Sequence, residues 1–66
     1  MKYIGHVAVG RRGKYAMTDE YDTREEAARA AFALNPNAKH VSTGIGYHGG
    51  NDIRWHRRDE IPGDTP

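Results

Sequence analysis

The stretch from Thr43 to Asp52, TGIGYHGGND, contains three glycines at the spacing of a phosphate-binding loop. Gly44, Gly46 and Gly49 match G-x-G-x-x-G, which binds a pyrophosphate only where a strand ends and a helix begins. The 17 residues after Gly49 alternate at the period of a strand and offer no helix. We therefore interpret these glycines as strand and hairpin-loop residues, where a bulge, a bend or the close approach of another backbone or of a partner leaves no room for a side chain.

Histidines are the second group with candidate chemistry, and the chain has four of them and no cysteine. Alternation along the predicted strands places His6, His40 and His56 on one outward sheet face, where three imidazoles could bind zinc. No local histidine pair and no supporting carboxylate accompanies them, so surface histidines without a metal are the favoured interpretation. Ser42 lies two residues from His40 but lacks an orienting acid, and the sequence predicts neither an enzyme nor a cofactor.

Basic side chains form the leading candidate site. The predicted partner-binding residues share a position on the outward sheet face, at its edge or at a hairpin tip: Arg11, Arg12, Lys14, Arg54, His56, Arg57 and Arg58. A face of this kind could follow a phosphate backbone. The alternative is a solvated face that long arginine and lysine stems cover, with no partner at all.

Charge is segregated along the chain, although the net charge is only +1. Successive blocks carry +4 (residues 1–18), −4 (19–26), +4 (27–58) and −3 (59–66). The second block contains a predicted secondary acidic patch, formed by Asp19, Glu20, Asp22 and Glu25. Segregation of this kind gives one positive and one negative surface, which serves solubility or orients a partner.

Four short strands and one helix position these candidates. Residues 3–9 and 14–18 alternate and flank Gly10-Arg-Arg-Gly13, and residues 39–47 and 52–58 form a second hairpin. The helix lies within residues 21–34, where Thr23 and Glu26 form a capping box, and Pro36 ends it. Its apolar stripe is mostly alanine, which allows close packing on a sheet: Ala27, Ala30, Ala31 and Leu34, flanked by Ala28 and Phe32.

The predicted fold is α+β in the order ββαββ, a four-stranded antiparallel sheet with one helix packed on one face. A single domain spans residues 1–58, and residues 59–66 form a flexible acidic, proline-containing tail. The predicted core is Tyr3, Val7, Val9, Tyr15, Met17, Ala27, Ala31, Leu34, Val41, Ile45, Ile53 and Trp55. Because this core takes up most of the aromatic rings, it weakens the case for base stacking on the outward face.

The chain has 66 residues, enough for one small domain with a modest core. It has no disulfide, and no apolar run approaches the roughly 20 residues of a membrane helix. We expect a cytoplasmic protein, in the host cytosol if a phage encodes it, that does not bind a membrane. Exposed sheet edges are compatible with a monomer or an edge-strand dimer.

The segment YDTREEAARAAF (residues 21–32) resembles the F-D-T-x-E-E-A-A-x-A-Y segment of plant APETALA-type and phage integrase-type DNA-binding domains. The shared residues are those of capping and packing, and the resemblance implies a helix packed on a sheet. The chain departs from that family because two predicted strands, and not three, precede the helix. It also has no clear counterparts of the family's residues that read DNA. In its small size, lack of cysteine and segregated charge, the chain is also similar in style to small phage inhibitors of the anti-CRISPR type. That similarity implies stoichiometric binding to a larger host machine.

Two hypotheses on function follow. The favoured one is a non-catalytic phage-type inhibitor, anti-CRISPR-like, that docks on a larger protein or ribonucleoprotein of a host defence and blocks its engagement of nucleic acid. The alternative is a small domain that binds nucleic acid directly through a basic sheet face. An inhibitor could present the acidic patch to a basic groove as an imitation of phosphate, whereas a nucleic-acid binder must turn it away.

Overall fold

The computed structural model describes residues 1–10, 13–46 and 49–60, and it confirms the predicted α+β fold. The strands are β1 (Tyr3–Ala8), β2 (Tyr15–Tyr21), β3 (His40–Ile45) and β4 (Asn51–Arg57), and the helix is α1 (Arg24–Leu34). All neighbouring strands are antiparallel, in the order β2-β1-β3-β4, so the two hairpins join through β1 and β3. A short 3-10 turn, Arg58–Glu60, follows β4.

The ends of α1 are fixed by the capping residues that the sequence indicates. The Thr23 hydroxyl accepts a hydrogen bond from the backbone N–H of Glu26 at 3.1 Å and so satisfies a donor of the first turn. At the other end the Asn35 side chain donates to the Ala8 carbonyl at 2.9 Å. The helix therefore begins where β2 ends, and it finishes beside the end of β1.

The core is small and lies between α1 and the central strands. Its buried residues are Val7, Ala28, Ala31, Phe32 and Val41. Small side chains let the helix approach closely, and a Cβ on Gly5 would lie only 2.5 Å from the Ala27 carbonyl oxygen. The predicted burial of Val7, Ala27, Ala31 and Val41 is confirmed.

The prediction that Leu34 belongs to the core is wrong. Leu34 is the last residue of α1 and is 47% exposed, whereas Phe32 is fully buried. The buried face of α1 runs through Ala27, Ala28, Ala31 and Phe32. A sequence stripe of alanines cannot distinguish this face from the neighbouring one, because alanine is present on both.

The prediction that Tyr15 and Met17 lie in the core is also wrong. Ala8 pairs with Tyr15 and Val7 with Ala16, and directly opposed residues of an antiparallel pair share a face. Ala16 therefore packs towards α1 with Val7, and its two neighbours point away. A shift of one residue in this register would reverse every side chain of β2.

Ile53 and Trp55 do not face the helix either, contrary to the prediction. Val41 pairs with His56 and Thr43 with Arg54, so Trp55 shares the opposite face with Ser42. A helix is about 10 Å across and strands lie about 4.8 Å apart, so one helix covers about three strands. Since α1 packs on β1, β2 and β3, β4 lies beyond its cover.

The predicted tail, residues 59–66, is described by the structure only as far as Glu60. Asp59 and Glu60 belong to the 3-10 turn, and Glu60 accepts a hydrogen bond from the Arg57 backbone N–H at 2.9 Å. The rest of the predicted tail lies outside the described residues. None of the helices in the described ranges has the length and apolarity that a membrane span requires.

Candidate functional site

The sheet face away from α1, called here the open face, carries four large apolar side chains in contact with solvent. Tyr15 and Met17 stand on β2, and Ile53 and Trp55 stand on β4, with exposed fractions between 48% and 60%. Polar residues would normally occupy such a face. Grouped exposed apolar side chains are typical of surfaces that bind another molecule, so this face is the candidate site.

A cleft of about 270 Å³ is lined by three of these side chains, those of Tyr15, Ile53 and Trp55. Tyr15 stands on one side of it, and Ile53 and Trp55 stand on the other. Its floor is formed by His6 and Ser42, which are directly opposed on the two central strands. The cleft therefore combines aromatic sides with a floor that can form hydrogen bonds.

The connection between β3 and β4 closes the cleft at one end. Its Gly49 carbonyl oxygen approaches Gly44 so closely that a Cβ on Gly44 would collide with it. Gly49 itself has a positive φ of 65°, and a Cβ there would lie 2.6 Å from the His6 ring. The glycines of the TGIGYHGGND stretch thus let the chain fold over its own sheet, and β4 rather than a helix follows them.

The same loop explains an unexpected buried residue. Ile4 lies on the open face, opposite Gly44. It is nevertheless only 8% exposed, because Gly49 lies against its Cβ. The open face is thus covered at this end and uncovered around Tyr15 and Trp55.

His40 orients the most exposed aromatic ring of the face. Its imidazole meets the Trp55 indole edge-on, with ring centroids 5.5 Å apart and an interplanar angle of 71°. Edge-to-face aromatic pairs add about 0.5–1.5 kcal/mol beyond the burial of their area. The contact with His40 restrains the Trp55 ring at the side of the cleft, and 60% of Trp55 stays exposed to solvent.

The seven predicted partner-binding residues do not form one surface. Arg11 and Arg12 lie outside the described residues, and Lys14 is exposed just before β2. Arg57 lies on the open face, beside His40. The prediction that Arg54 and His56 share that face is wrong, because both are paired with β3 residues that face α1.

Arg58 has a packing position that the sequence did not suggest. Its guanidinium lies 4.5 Å above the Phe32 ring and donates to the carbonyl oxygens of Asn35, Pro36 and Ala38 at 3.0–3.3 Å. These are the carbonyl groups that follow the end of α1, where a cation is favourable. Arg58 therefore joins the end of β4 to the end of the helix.

Thr43 is the centre of a polar network on the helix side of the sheet. Its hydroxyl is fully buried, accepts a hydrogen bond from Arg24 at 3.2 Å and lies 2.7 Å from His56 Nε2. The hydroxyl proton is then available to donate to a neutral His56. Burial in this network lowers the pKa of His56, and the positive charge of Arg24 lowers it further.

Arg24 connects the beginning of the helix to the second hairpin. Besides Thr43, it bonds the Asp52 backbone carbonyl at 3.0 Å and forms a salt bridge with the Asp52 carboxylate. Its guanidinium also lies 4.8 Å from the centre of the Tyr3 ring. The Arg24 side chain is therefore engaged in contacts that hold the fold together. Arg54 lies 4.0 Å from the Asp52 carboxylate, at the margin of this network.

The predicted acidic patch is exposed and lies at one end of the strands. Asp19 and Glu20 are in β2, Asp22 follows it, and Glu25 is in the first turn of α1. Asp22 pairs with Lys2, and this hydrogen bond raises the pKa of Lys2 and lowers that of Asp22. The patch stands at the helix N-terminus, whose dipole favours negative charge.

Most of the charged residues lie towards two ends of the molecule, although Lys2 lies at the acidic end and Asp59 and Glu60 lie at the basic end. At the acidic end lie Glu20, Asp22, Glu25 and Glu26; at the basic end, where β1 ends and β3 begins, lie Lys14, Lys39, Arg57 and Arg58. The cleft opens towards the basic end, because Tyr15 and Arg57 both lie there and the Gly49 loop closes the other.

The three histidines that were candidate zinc ligands are not on one face, because His56 points towards Thr43 on the helix side. Within residues 1–10, 13–46 and 49–60, no three His, Asp or Glu side chains are close enough to hold a metal ion. Ser42 lies beside His6 and opposite Trp55 on the open face. The arrangement of the cleft supports binding through apolar contact and hydrogen bonds.

Tyr15 and Trp55 were predicted to lie in the core, so they were not among the predicted partner-binding residues. A signal was nevertheless present: a single helix of 11 residues cannot cover the large apolar residues of four strands. The chain matches no family model, no curated protein and no solved structure.

Proposed function

We propose that this chain is a non-catalytic protein-binding domain that docks on a larger partner through its open face. The observation that supports the proposal is the exposure of Tyr15, Met17, Ile53 and Trp55 on one face with few charges at its centre. Protein interfaces are enriched in Trp, Tyr and Met and depleted of charge at their cores. Trp55 and Tyr15, which stand at the sides of a cleft, are of the residue types that dominate binding energy.

The test is to immobilise the chain and capture proteins from lysate of its native cells, with nuclease added throughout. Wild type, Trp55→Ala and Leu34→Ala are compared, because Leu34 is an exposed apolar residue on the helix side. We expect wild type and Leu34→Ala to retain the same protein. Trp55→Ala should bind it about thirtyfold more weakly, which corresponds to about 2 kcal/mol.

Equal retention by Trp55→Ala would contradict the proposal, provided that circular dichroism shows all three chains to be folded. A protein that is captured only in a parallel experiment without nuclease would contradict it as well, since the contact would then depend on nucleic acid. Tyr15→Ala is a second test of the face, on the opposite side of the cleft.

Direct binding of single-stranded nucleic acid is the second candidate. It is favoured by one observation, the exposure of Trp55 and Tyr15, because exposed aromatic rings on a sheet can stack on bases. Against it, the open face carries Glu20 as well as Arg57, and the sequence pI of about 8.1 is below the value of about 9 that is usual for such domains.

Fluorescence anisotropy with labelled DNA and RNA separates the two candidates. The protein-binding proposal predicts no binding at physiological salt. Binding that persists there, and that weakens with a log–log salt slope of several units, would favour the nucleic-acid domain.

The acidic end supports the finer hypothesis of an anti-CRISPR-like phage inhibitor that blocks nucleic acid on a host nucleoprotein. Glu20, Asp22, Glu25 and Glu26 could occupy a basic groove in place of phosphates. Under this hypothesis the chain displaces labelled nucleic acid from the captured partner, and the charge reversal Glu20→Lys/Glu25→Lys abolishes displacement. Displacement that is unchanged by this reversal would eliminate phosphate imitation.

A further inference from the structure

We propose that the cleft of the open face binds an extended, proline-containing segment of the partner, with acidic residues of that segment lying over the basic end. This inference rests on the proposed function and names the chemistry of the partner at the same surface. It follows from three features of the cleft: the aromatic sides, the floor and the charge at its open end.

The sides and floor of the cleft fit a polyproline-type segment. Proline-rich segments dock in grooves lined by aromatic residues, because their extended helix is already ordered and its carbonyl oxygens have no internal partner. Here Tyr15 and Trp55 stand on opposite sides of the cleft. The side chains of Tyr15, Trp55 and Ser42 each carry a hydrogen that can be donated to such carbonyl groups.

The shape of the cleft favours an extended segment over a flat partner surface. The Gly49–Gly50 loop rises over the sheet at one end, beside His6 and Ile4, so the face is raised at that end. A flat partner surface laid over this end would meet the loop before it met the sheet. A narrow segment can enter between Tyr15 and Trp55 and leave at the open end.

Basic side chains outnumber acidic ones at the open end of the cleft, where Glu60 lies beside Arg57. Arg57 follows Trp55 by two residues and shares its face, and Lys14 is adjacent to Tyr15. Charge complementarity therefore predicts acidic residues in the segment where it leaves the cleft. The distribution of charge over the open face also disfavours a nucleic-acid strand. Its opposite corner carries Glu20, which would repel a continuous line of phosphates.

Trp55 is the only tryptophan of the chain, so its fluorescence reports binding in the cleft without a label. The full chain is titrated, up to about 1 mM, with a ten-residue peptide that has prolines at P-x-x-P spacing and two glutamates at one end. Three further probes are the same peptide with every proline replaced by alanine, the same peptide with lysines in place of the glutamates, and a thymidine decanucleotide.

We expect a saturable blue shift of the Trp55 emission with the acidic proline peptide. Binding of the alanine peptide and of the lysine peptide should each be at least tenfold weaker. Arg57→Glu should reverse the preference between the acidic and the lysine-containing peptide, whereas Arg54→Glu, on the other face of β4, should leave it unchanged. A reversal of this kind could not arise from a loss of folding.

Equal binding of the proline and alanine peptides, no binding of either, or an unchanged preference in Arg57→Glu would overturn the inference. So would tighter binding of the decanucleotide than of the acidic peptide. If no peptide binds but wild type captures a protein that Trp55→Ala does not, this inference fails and the proposed function stands. If that capture also fails, both are wrong.

Discussion

Gly5 lies where α1 comes closest to the sheet, and its missing side chain sets the distance between the two layers. A Cβ at this position would lie 2.5 Å from the Ala27 carbonyl oxygen and 3.0 Å from the Ala31 Cβ. The first of these atoms belongs to backbone and cannot move without the helix. We therefore expect Gly5→Ala to lower the free energy of unfolding by about 1–3 kcal/mol. Urea denaturation measures this, and an unchanged midpoint would contradict the close packing.

His56 should make the stability of the fold depend on pH. Its folded pKa is lowered from 6.5, so the unfolded chain takes up a proton below about pH 6.5 before the folded chain does. The free energy of unfolding therefore keeps the contribution of neutral His56 above about pH 6.5, and it loses that contribution as the pH falls towards the folded pKa. His56→Gln should remove this part of the pH dependence.

The measurement is the urea midpoint at about pH 7.5 and about pH 5.5, in wild type, His56→Gln and the control His40→Gln, whose histidine is exposed on the open face. Wild type and His40→Gln should lose stability over this range, and His56→Gln should lose less. An equal loss in all three chains would show that the Thr43 network does not hold His56 neutral.

At the scale of elements, the kind and order of the strands and the helix were predictable, and the faces of the two edge strands were not. Alternation locates a strand but does not say which of its two sets of side chains points inwards. In β2 and β4 that choice depends on register, which the connections and the bulges set. The bulge in the first hairpin, where Gly5 N–H donates to the Thr18 hydroxyl at 2.9 Å, has no signature in the sequence.

The candidate site was therefore predictable only in part. The two ends of opposite charge follow from charge blocks that the sequence displays, because the chain runs back and forth between the same two ends. The aromatic cleft depends on the pairing of Ala8 with Tyr15 and of Ser42 with Trp55. One residue of slip in either pair would turn the ring to the helix side and place Ala16 or His56 on the open face instead.

Arg57 and Arg58 are adjacent and should differ in what their removal affects. Arg58→Ala removes the guanidinium donor from the carbonyl groups of Pro36 and Ala38, removes one of two donors from that of Asn35, and uncovers Phe32. We expect it to lower the free energy of unfolding by about 1–3 kcal/mol. Arg57→Ala, whose side chain is exposed on the open face, should leave stability within about 0.5 kcal/mol and weaken binding of the acidic peptide.

Thermal or urea denaturation of both variants, alongside the peptide titration, checks this division. Arg58→Ala as stable as wild type would show that the link between β4 and the end of α1 contributes little. An unfolded Arg57→Ala would show that the open face has a structural function which the contacts of Arg57 do not reveal.

At the scale of the whole molecule, one helix covers three of the four strands on one side of the sheet, and most of the other side is left to solvent. The described residues hold apolar side chains on both sides: the buried cluster around Phe32 beneath α1, and the exposed group around Trp55 on the open face. The first holds the fold together. The second contributes little to the isolated domain, and its burial by a partner would supply binding free energy.

Binding of a partner at the open face requires Trp55 to be uncovered in the free chain. We would measure its emission spectrum and its quenching by acrylamide, from low to high protein concentration and without any partner. We expect the emission of a solvated indole and efficient quenching that does not change with concentration. A blue-shifted, protected Trp55 at every concentration would contradict the account, because the open face would then already be occupied within the chain. Protection that develops only at high concentration would show that a second copy covers it.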